Sequence, residues 1–354
     1  MRVAVVSLRT PEDDDTAAAR RTARTARLLA DRGHDVTVFC SRWWDGHEHE
    51  RTEGDVRYVA ITEDPVAPWL FALALPLMLL QFDPDAIHVA HDPPEQVLGA
   101  KLGGLLARAP VVVDWYGDPK HPGSEATRRL SVRWPEKVIV PSRLVGTWVR
   151  ELGADDDAVS VVPESVDMSL VKNAPVEGDA DVVYARRLDE DANVESLLLA
   201  LAELRERDWQ ALIVGDGPER DRYEQQAADL RIDDRVEFAG DLPQMIRLGR
   251  YRSAQVFVQT ATKECFATEL LWAMAAGCVG VVEYQADSSA HELIEHRERG
   301  IRTTNDVELS EAIVEASQRP DLDVDESLAD YDQDVVVGEF VECYREAQES
   351  FGLF

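Results

Sequence analysis

Short apolar runs alternate with longer stretches of helical period along the whole chain. A run of four to seven apolar residues bounded by turn residues reads as a buried strand, and apolar positions spaced three and four apart read as a helix face. On that reading the first half carries strands near Arg2–Ser7, Asp35–Phe39, Val56–Ile61, Ala86–Val89, Val111–Asp114, Lys137–Val140 and Val159–Val162. Helices fit between them at Thr16–Arg32, Trp69–Leu80, Glu95–Arg108, Ala126–Arg133 and Arg143–Gly153. The second half repeats the rhythm, with strands at Asp181–Tyr184, Ala211–Val214, Val236–Phe238, Gln255–Gln259, Val279–Val282 and Ile301–Thr303. Its helices fall at Val194–Arg207, Pro218–Leu230, Leu242–Tyr251, Ala267–Ala276, Ser288–Glu295 and Leu309–Ser317, and an amphipathic helix follows at Val335–Glu349.

Strands separated by helix-length segments predict parallel sheets covered by helices, an α/β fold. Gly33 sits where the first helix must stop and suits the left-handed position after it. There is no short repeat, only two similar halves, as a pair of doubly wound domains would give. Lys172–Asp179 reads as the hinge between them.

At 354 residues two domains are the expectation. The charge changes the picture most: 68 acidic residues stand against 37 basic ones, for a net charge of −31. Acid runs such as Glu12–Asp15 and Asp155–Asp157 are spread along the chain. Two readings compete: capture of cationic partners, or a solvated surface suited to a cytoplasm of very high salt, where self-repulsion is screened. The scattered placement favours the halophilic reading. Nucleic acid as a partner is excluded for want of a basic footprint. Cys40, Cys265, Cys278 and Cys343 have no metal-type spacing and read as reduced thiols of a cytosolic protein. The first residues run straight into a strand, which predicts no secretion signal. Pro65–Phe82 is uncharged and reaches the length of the shortest bilayer spans, but Pro68 and Pro76 interrupt it. A buried or interfacial helix is expected there, with peripheral contact on the inner face of the cell membrane as one outcome.

The richest segment is VQTATKECFATELLWAMAAG, Val258 to Gly277. A strand ends in a loop carrying Glu264, and the helix that follows closes on Ala273-Met274-Ala275-Ala276-Gly277. This resembles the nucleotide-sugar site of retaining glycosyltransferases of the GT-B fold, family 4 (glycosyl transferases group 1). Other segments share the resemblance: LLADRGHDVTVF near the start, Pro163-Glu164-Ser165-Val166-Asp167 before the linker, Arg186-Arg187-Leu188, Gly215-Asp216-Gly217-Pro218 and Gly240-Asp241-Leu242. It implies two Rossmann-like, doubly wound parallel-sheet domains facing a cleft: an acceptor-side domain over 1–170, a nucleotide-sugar domain over 171–334, and a terminal helix over 335–354 crossing back.

The resemblance also assigns roles. Glu264 would accept hydrogen bonds from hydroxyls of the donor sugar; the competing reading is a carboxylate capping the helix that follows. Arg187 would grip the diphosphate, the competing reading being an ion pair with Asp189 or Glu190. Phe266 and Ala267 stand in the loop facing phosphate, and Asp241 and Leu242 at the turn that meets the nucleobase. The chain departs from the pattern in five places, one of them within Val113-Asp114-Trp115-Tyr116-Gly117, where a family histidine is replaced. Ala192 replaces a lysine opposing the diphosphate, and Cys265 replaces a glycine. The loop Leu8–Ala17 has no glycine, and Trp272 stands where a second glutamate accepts the ribose hydroxyls. Indole only donates, so Glu269, three residues earlier on the helix, is the candidate substitute. His91, Asp92 and Asp114 are cleft candidates by their place at strand ends.

The implied function is transfer of a hexose from a nucleotide diphosphate sugar to a cytoplasm-facing glycan or lipid-linked acceptor, with retained anomeric configuration, no metal and no other cofactor. A non-catalytic GT-B subunit that scaffolds an active transferase is the alternative, supported by the departures. A nucleotide-sugar epimerase on the same fold is a third and weaker reading.

Overall fold

The computed structural model describes residues 1–63, 67–117 and 124–352; Pro65 and Val66 of the apolar run lie outside the described residues. The chain divides into two compact units, Met1–Glu164 with Asp334–Phe354, and Ser165–Gln333.

The first unit is built on eight strands: β1 Arg2–Val6, β2 Asp35–Ser41, β3 Glu50–Glu53, β4 Val56–Thr62, β5 Ala86–Ala90, β6 Val111–Asp114, β7 Lys137–Val140 and β8 Val159–Val161. Their order is β3-β4-β2-β1-β5-β6-β7-β8, parallel throughout except for the β3–β4 pair. β1 and β5–β7 are almost wholly buried, which explains their unbroken apolar character, since helices cover a parallel sheet on both sides. β3 is a departure from the sequence reading. All four of its residues are exposed and polar, so no apolar run marks it.

Among the described residues, five α-helices connect these strands: α1 Ala17–Asp31, α2 Pro68–Phe82, α3 Pro94–Ala107, α4 Glu125–Arg133 and α5 Arg143–Glu151. α1 starts at Thr16, whose hydroxyl accepts from the Ala19 N–H at 3.2 Å. It ends on Gly33 at φ +81°, whose N–H donates to the Ala30 carbonyl. Inside α2, Pro76 cannot donate to the Ala72 carbonyl. Gly99 of α3 packs against that carbonyl, and a Cβ there would collide with it.

The second unit holds α6 Met168–Asn173, then β9 Val182–Ala185, α7 Val194–Glu203, β10 Ala211–Val214, α8 Arg220–Leu230, β11 Val236–Gly240 and α9 Gln244–Ser253. It continues with β12 Val256–Gln259, β13 Lys263–Glu264, α10 Thr268–Ala275, β14 Val279–Glu283, β15 Asp287–Ser288, α11 Ala290–Ile294, β16 Gly300–Thr303 and α12 Asp306–Ser317. Its six-stranded parallel sheet runs β11-β10-β9-β12-β14-β16, and β13 pairs with β15 separately. Leu197, Leu198 and Leu201 of α7 pack with Leu309 and Ile313 of α12 over Val256, Val258, Val279 and Val281.

The last helix, α13 Gln333–Phe351, returns to the first unit. Its Val336, Val337, Phe340, Val341 and Tyr344 join Val3, Val5, Val38, Val112 and Ile139 in one core. Two parallel-sheet, Rossmann-like domains are thus formed by the two halves that the periodicity separates.

Candidate functional site

The second unit gathers the chemistry-bearing segments at the carboxyl ends of its strands, where an open α/β sheet leaves room for a ligand. β9 is followed by Arg186 and Arg187. The Arg186 guanidinium donates from Nε to Glu264 Oε2 at 3.1 Å, from Nη1 to Asp189 Oδ1 at 2.8 Å, and from Nη2 to the Lys263 carbonyl at 3.1 Å. Burial pushes the Glu264 carboxyl above the usual carboxylate range, and Arg186 works against that rise. Burial likewise opposes the Arg186 charge, but Glu264, Tyr184 and Asp189 together outweigh it and leave the guanidinium more firmly protonated than usual.

This settles two competing readings. Glu264 does not cap the next helix: the N-cap of α10 is Ala267, with no side-chain cap bond, while the Glu264 carboxylate is turned to Arg186. Nor does Arg187 pair with Asp189 or Glu190. Arg186 takes Asp189, and Arg187 is exposed with no ion pair among the described residues. A free guanidinium one residue from the buried pair can receive an anion. The sequence reading did not single out Arg186; the doubled arginine followed by Asp189 was its only signal.

The loop carrying Glu264 is fixed from three sides. The Ser289 N–H donates to the Glu264 carbonyl at 2.9 Å, and the Ser289 hydroxyl to the Cys265 carbonyl at 2.8 Å. Asn193, at φ +51°, donates from Nδ2 to the Thr260 carbonyl at 3.0 Å and accepts from the Thr260 hydroxyl through its own carbonyl at 2.7 Å. Phe266 is buried, with its ring 6.4 Å from that of Tyr331, and Ala267 is buried at the start of α10.

The glycine turns serve packing. Gly215, at φ +122°, and Gly217 lie so close to the backbones of Arg186 and Leu188 that any Cβ would collide with them. Gly215 also donates to the Gly240 carbonyl at 2.8 Å, which draws the ends of β10 and β11 together. Beside that turn Asp241 is exposed, and half-buried Leu242 accepts from Arg247 Nη1 at 3.5 Å.

The departures are structural as well as chemical. Ala192 is fully buried in the core cluster, and its carbonyl accepts from the Tyr184 hydroxyl at 2.7 Å. Trp272 is 7% exposed on α10, between the buried Leu271 and Ala273. Glu269 is half-buried and already engaged: its Oε2 accepts from the Tyr251 hydroxyl at 2.6 Å and forms an ion pair with Arg247 Nε at 3.0 Å. The substitute suggested for the missing glutamate therefore also ties α10 to α9.

The first unit's candidates fare differently. Asp114 is no open carboxylate. It is buried, and both its oxygens accept from Arg21 Nε at 2.9 Å. Arg21 reaches on to Glu164 Oε1 at 3.3 Å and to the Val162 carbonyl at 2.8 Å. Burial opposes the charge of Arg21, but Asp114 and Glu164 prevail and hold it protonated. His91 is buried, its ring 4.6 Å from that of Trp115, and its Nδ1 accepts from the Tyr116 N–H at 3.3 Å. Asp92 is half-buried, and its carbonyl accepts from Gln96 Nε2 at 2.8 Å. Strand-end position marked Asp114 as a cleft residue; the arginine on α1 makes it a core anchor.

Comparison with known proteins gives these features a family. Residues 167–331 match the family Glycosyl transferases group 1, and residues 18–170 match Glycosyltransferase Family 4. A 2-deoxystreptamine glucosyltransferase of Streptomyces kanamyceticus is 29% identical over 140 residues, 35% of this chain and 36% of its own length. An alpha-monoglucosyldiacylglycerol synthase of Streptococcus pneumoniae is 27% identical over 182 residues, 51% of this chain and 40% of its own. The chain thus spans well under half the length of these relatives. Among solved structures, a glycosyltransferase of Rickettsia africae superposes with a TM-score of 0.77 at 14% identity, covering 98% of each chain. Anabaena HepE in complex with UDP superposes with a TM-score of 0.73 at 19% identity, covering 97% of this chain and 99% of its own. The chain belongs to the family 4, group 1 glycosyltransferases and has their GT-B fold.

Proposed function

We propose that the protein transfers a hexose from a nucleotide diphosphate sugar to a cytoplasm-facing glycan or lipid-linked acceptor, with retention and without a metal. The observation that carries this is the Arg186–Glu264 pair beside the exposed Arg187, which has no ion pair among the described residues. Glu264 offers its remaining acceptor capacity to sugar hydroxyls, and Arg187 opposes the diphosphate as it leaves. The bond from the sugar to the diphosphate breaks, a bond to the acceptor oxygen forms, and the proton of the acceptor hydroxyl passes to the departing diphosphate. HepE, the structural neighbour, was solved with UDP and with UDP-glucose, which favours a uridine nucleotide donor. The synthase from Streptococcus pneumoniae makes a glucosyl lipid, monoglucosyldiacylglycerol, by its name, which favours a lipid acceptor. The uncharged stretch that includes α2 supports peripheral contact with the inner face of the cell membrane. The dispersed net charge of −31 suits a halophilic cytoplasm.

Burial of Trp272 and Ala192 favours a second reading, a GT-B subunit that binds no donor and scaffolds an active transferase. Calorimetric titration of UDP-glucose, UDP-galactose and GDP-mannose in concentrated KCl separates the two. A bound sugar nucleotide, released as free nucleotide only when an acceptor is added, is the expected result; no binding of any donor would leave the scaffold.

A further inference from the structure

The loops that follow β9 and β12, neighbouring strands of the second sheet, are stitched together beside the Arg186–Glu264 pair. The Thr262 N–H donates to the Asp191 carbonyl at 2.9 Å, and the Thr262 hydroxyl to Asp191 Oδ1 at 3.1 Å. The Asp191 N–H donates to Asp189 Oδ1 at 3.1 Å, and the Lys263 carbonyl already holds Arg186. β13 also pairs Lys263 with Asp287, so its backbone is held from both sides. Its side chain is not. It is 53% exposed, and its Nζ stands 3.7 Å from Asp191 Oδ1, too far for a hydrogen bond. An exposed ion pair at that distance holds its partner weakly.

Charge decides what this lysine can do. Residues 186–193 and 260–267 carry four carboxylates, Asp189, Glu190, Asp191 and Glu264, against three cations, Arg186, Arg187 and Lys263. Arg186 is spent on Glu264 and Asp189. Ala192 is buried and offers no charge. A nucleotide diphosphate brings further negative charge to these strand ends, where Arg187 alone would be left to meet it. We propose that Lys263 is the second cation of the diphosphate subsite, leaving Asp191 for the phosphate oxygens when the donor binds. The inference rests on the transferase reading and adds to it the residue that, with Arg187, neutralises the leaving group. A phosphate oxygen within hydrogen-bond reach of Nζ outcompetes a carboxylate that lies beyond it. Such a contact is no longer than the roughly 3 Å Debye length of about 1 M salt, so it survives in concentrated KCl.

Calorimetry of the full chain in concentrated KCl tests this, with UDP, GDP and ADP as probes and the matching nucleoside as control. Lys263→Gln should keep its melting temperature, since only an exposed pair is lost. It should bind the preferred diphosphate about tenfold or more weakly. The nucleoside, which has no phosphate, should bind both proteins alike. Lys263→Arg keeps the charge and should recover most of the affinity. Asp191→Asn keeps an acceptor for Thr262 but frees Lys263, so it should tighten diphosphate binding severalfold. In a Lys263→Gln background the same change should gain much less, because there is no ammonium to free. Equal diphosphate affinity in Lys263→Gln, or an equal loss for the nucleoside, would overturn the proposal. So would a gain from Asp191→Asn that is the same in both backgrounds. These outcomes leave the transferase reading standing. A wild type that binds none of the three diphosphates sinks that reading, and the subsite with it.

Discussion

Glu264 and Arg186 meet at 3.1 Å in a site where only a fifth of either side chain reaches solvent. Burial pushes the carboxyl up and the guanidinium pulls it back, so its ionisation depends on its partner. In Arg186→Ala the restraint is gone and the carboxyl titrates at a higher pH. Turnover should then fall away on the acid side at a higher pH than in the wild type. A pH–rate profile reads this directly, and Glu264→Gln, which has no carboxyl there to titrate, should be slow at every pH. An unmoved acid limb would remove Glu264 from the reacting centre.

Arg187 sits one residue away, exposed and with no ion pair among the described residues. Its replacement by alanine should leave the melting temperature unchanged, because no ion pair is lost. Binding of whichever sugar nucleotide the wild type takes should weaken by about 1.5–3 kcal/mol, the worth of a hydrogen bond to a charged group. Calorimetry checks both halves; equal affinity would make Arg187 a surface cation and no more.

His88 lies at the centre of the first unit, fully buried, with its Nδ1 3.0 Å from the Tyr344 hydroxyl and its Nε2 3.7 Å from Asp114 Oδ2. Burial lowers its pKa from 6.5 to about 4; Asp114 favours its charge, and Arg21 opposes it. The unfolded chain takes up a proton below pH 6.5 that the folded chain refuses until about pH 4. Stability from this group is therefore complete above pH 6.5 and lost across that window, by about 3 kcal/mol at about 1.4 kcal/mol per pH unit. Denaturant unfolding of the wild type and His88→Gln should show stabilities that converge as the pH falls from 7 to 4. A constant gap would mean that His88 keeps its ordinary titration.

Much of the fold is legible because burial on both faces of a parallel sheet leaves an unbroken apolar signature: β5, β6 and β7 are read within a residue of where they lie. β3 has no such signature, since its four residues face solvent. Site chemistry is harder to read, because it depends on which side chain reaches which partner. Nothing in the order Arg186-Arg187 says that the first arginine turns to Glu264 and the second to solvent. Asp114 reads as a strand-end carboxylate until α1 places Arg21 over it, 93 residues away in sequence. Glu264, by contrast, is legible from the segment that holds it, between the end of β12 and the helix that closes on Ala273–Gly277.

Trp272 divides enzyme from scaffold, and its neighbour sharpens the test. If the site binds a sugar nucleotide, the ribose hydroxyls need an acceptor on or near α10, and Glu269 has one oxygen to spare once Oε2 serves Tyr251 and Arg247. Glu269→Ala should then weaken donor binding. It should also cost about 1–3 kcal/mol of stability, because the fully buried Tyr251 hydroxyl loses its acceptor. Glu269→Gln keeps an acceptor for Tyr251, so it should recover most of the stability; any donor affinity still missing belongs to the carboxylate itself. Trp272→Glu puts a carboxylate into a nearly closed site beside Leu271. Without a ligand to pair it, the fold should weaken as a buried unpaired charge requires. With donor present, ribose hydroxyls would satisfy that carboxylate, and the melting temperature should climb by more than the wild type's does. Melting curves of the three variants with and without donor decide it. If donor shifts none of them, nor the wild type, the chain binds no sugar nucleotide, and Trp272 is a core residue of a scaffold.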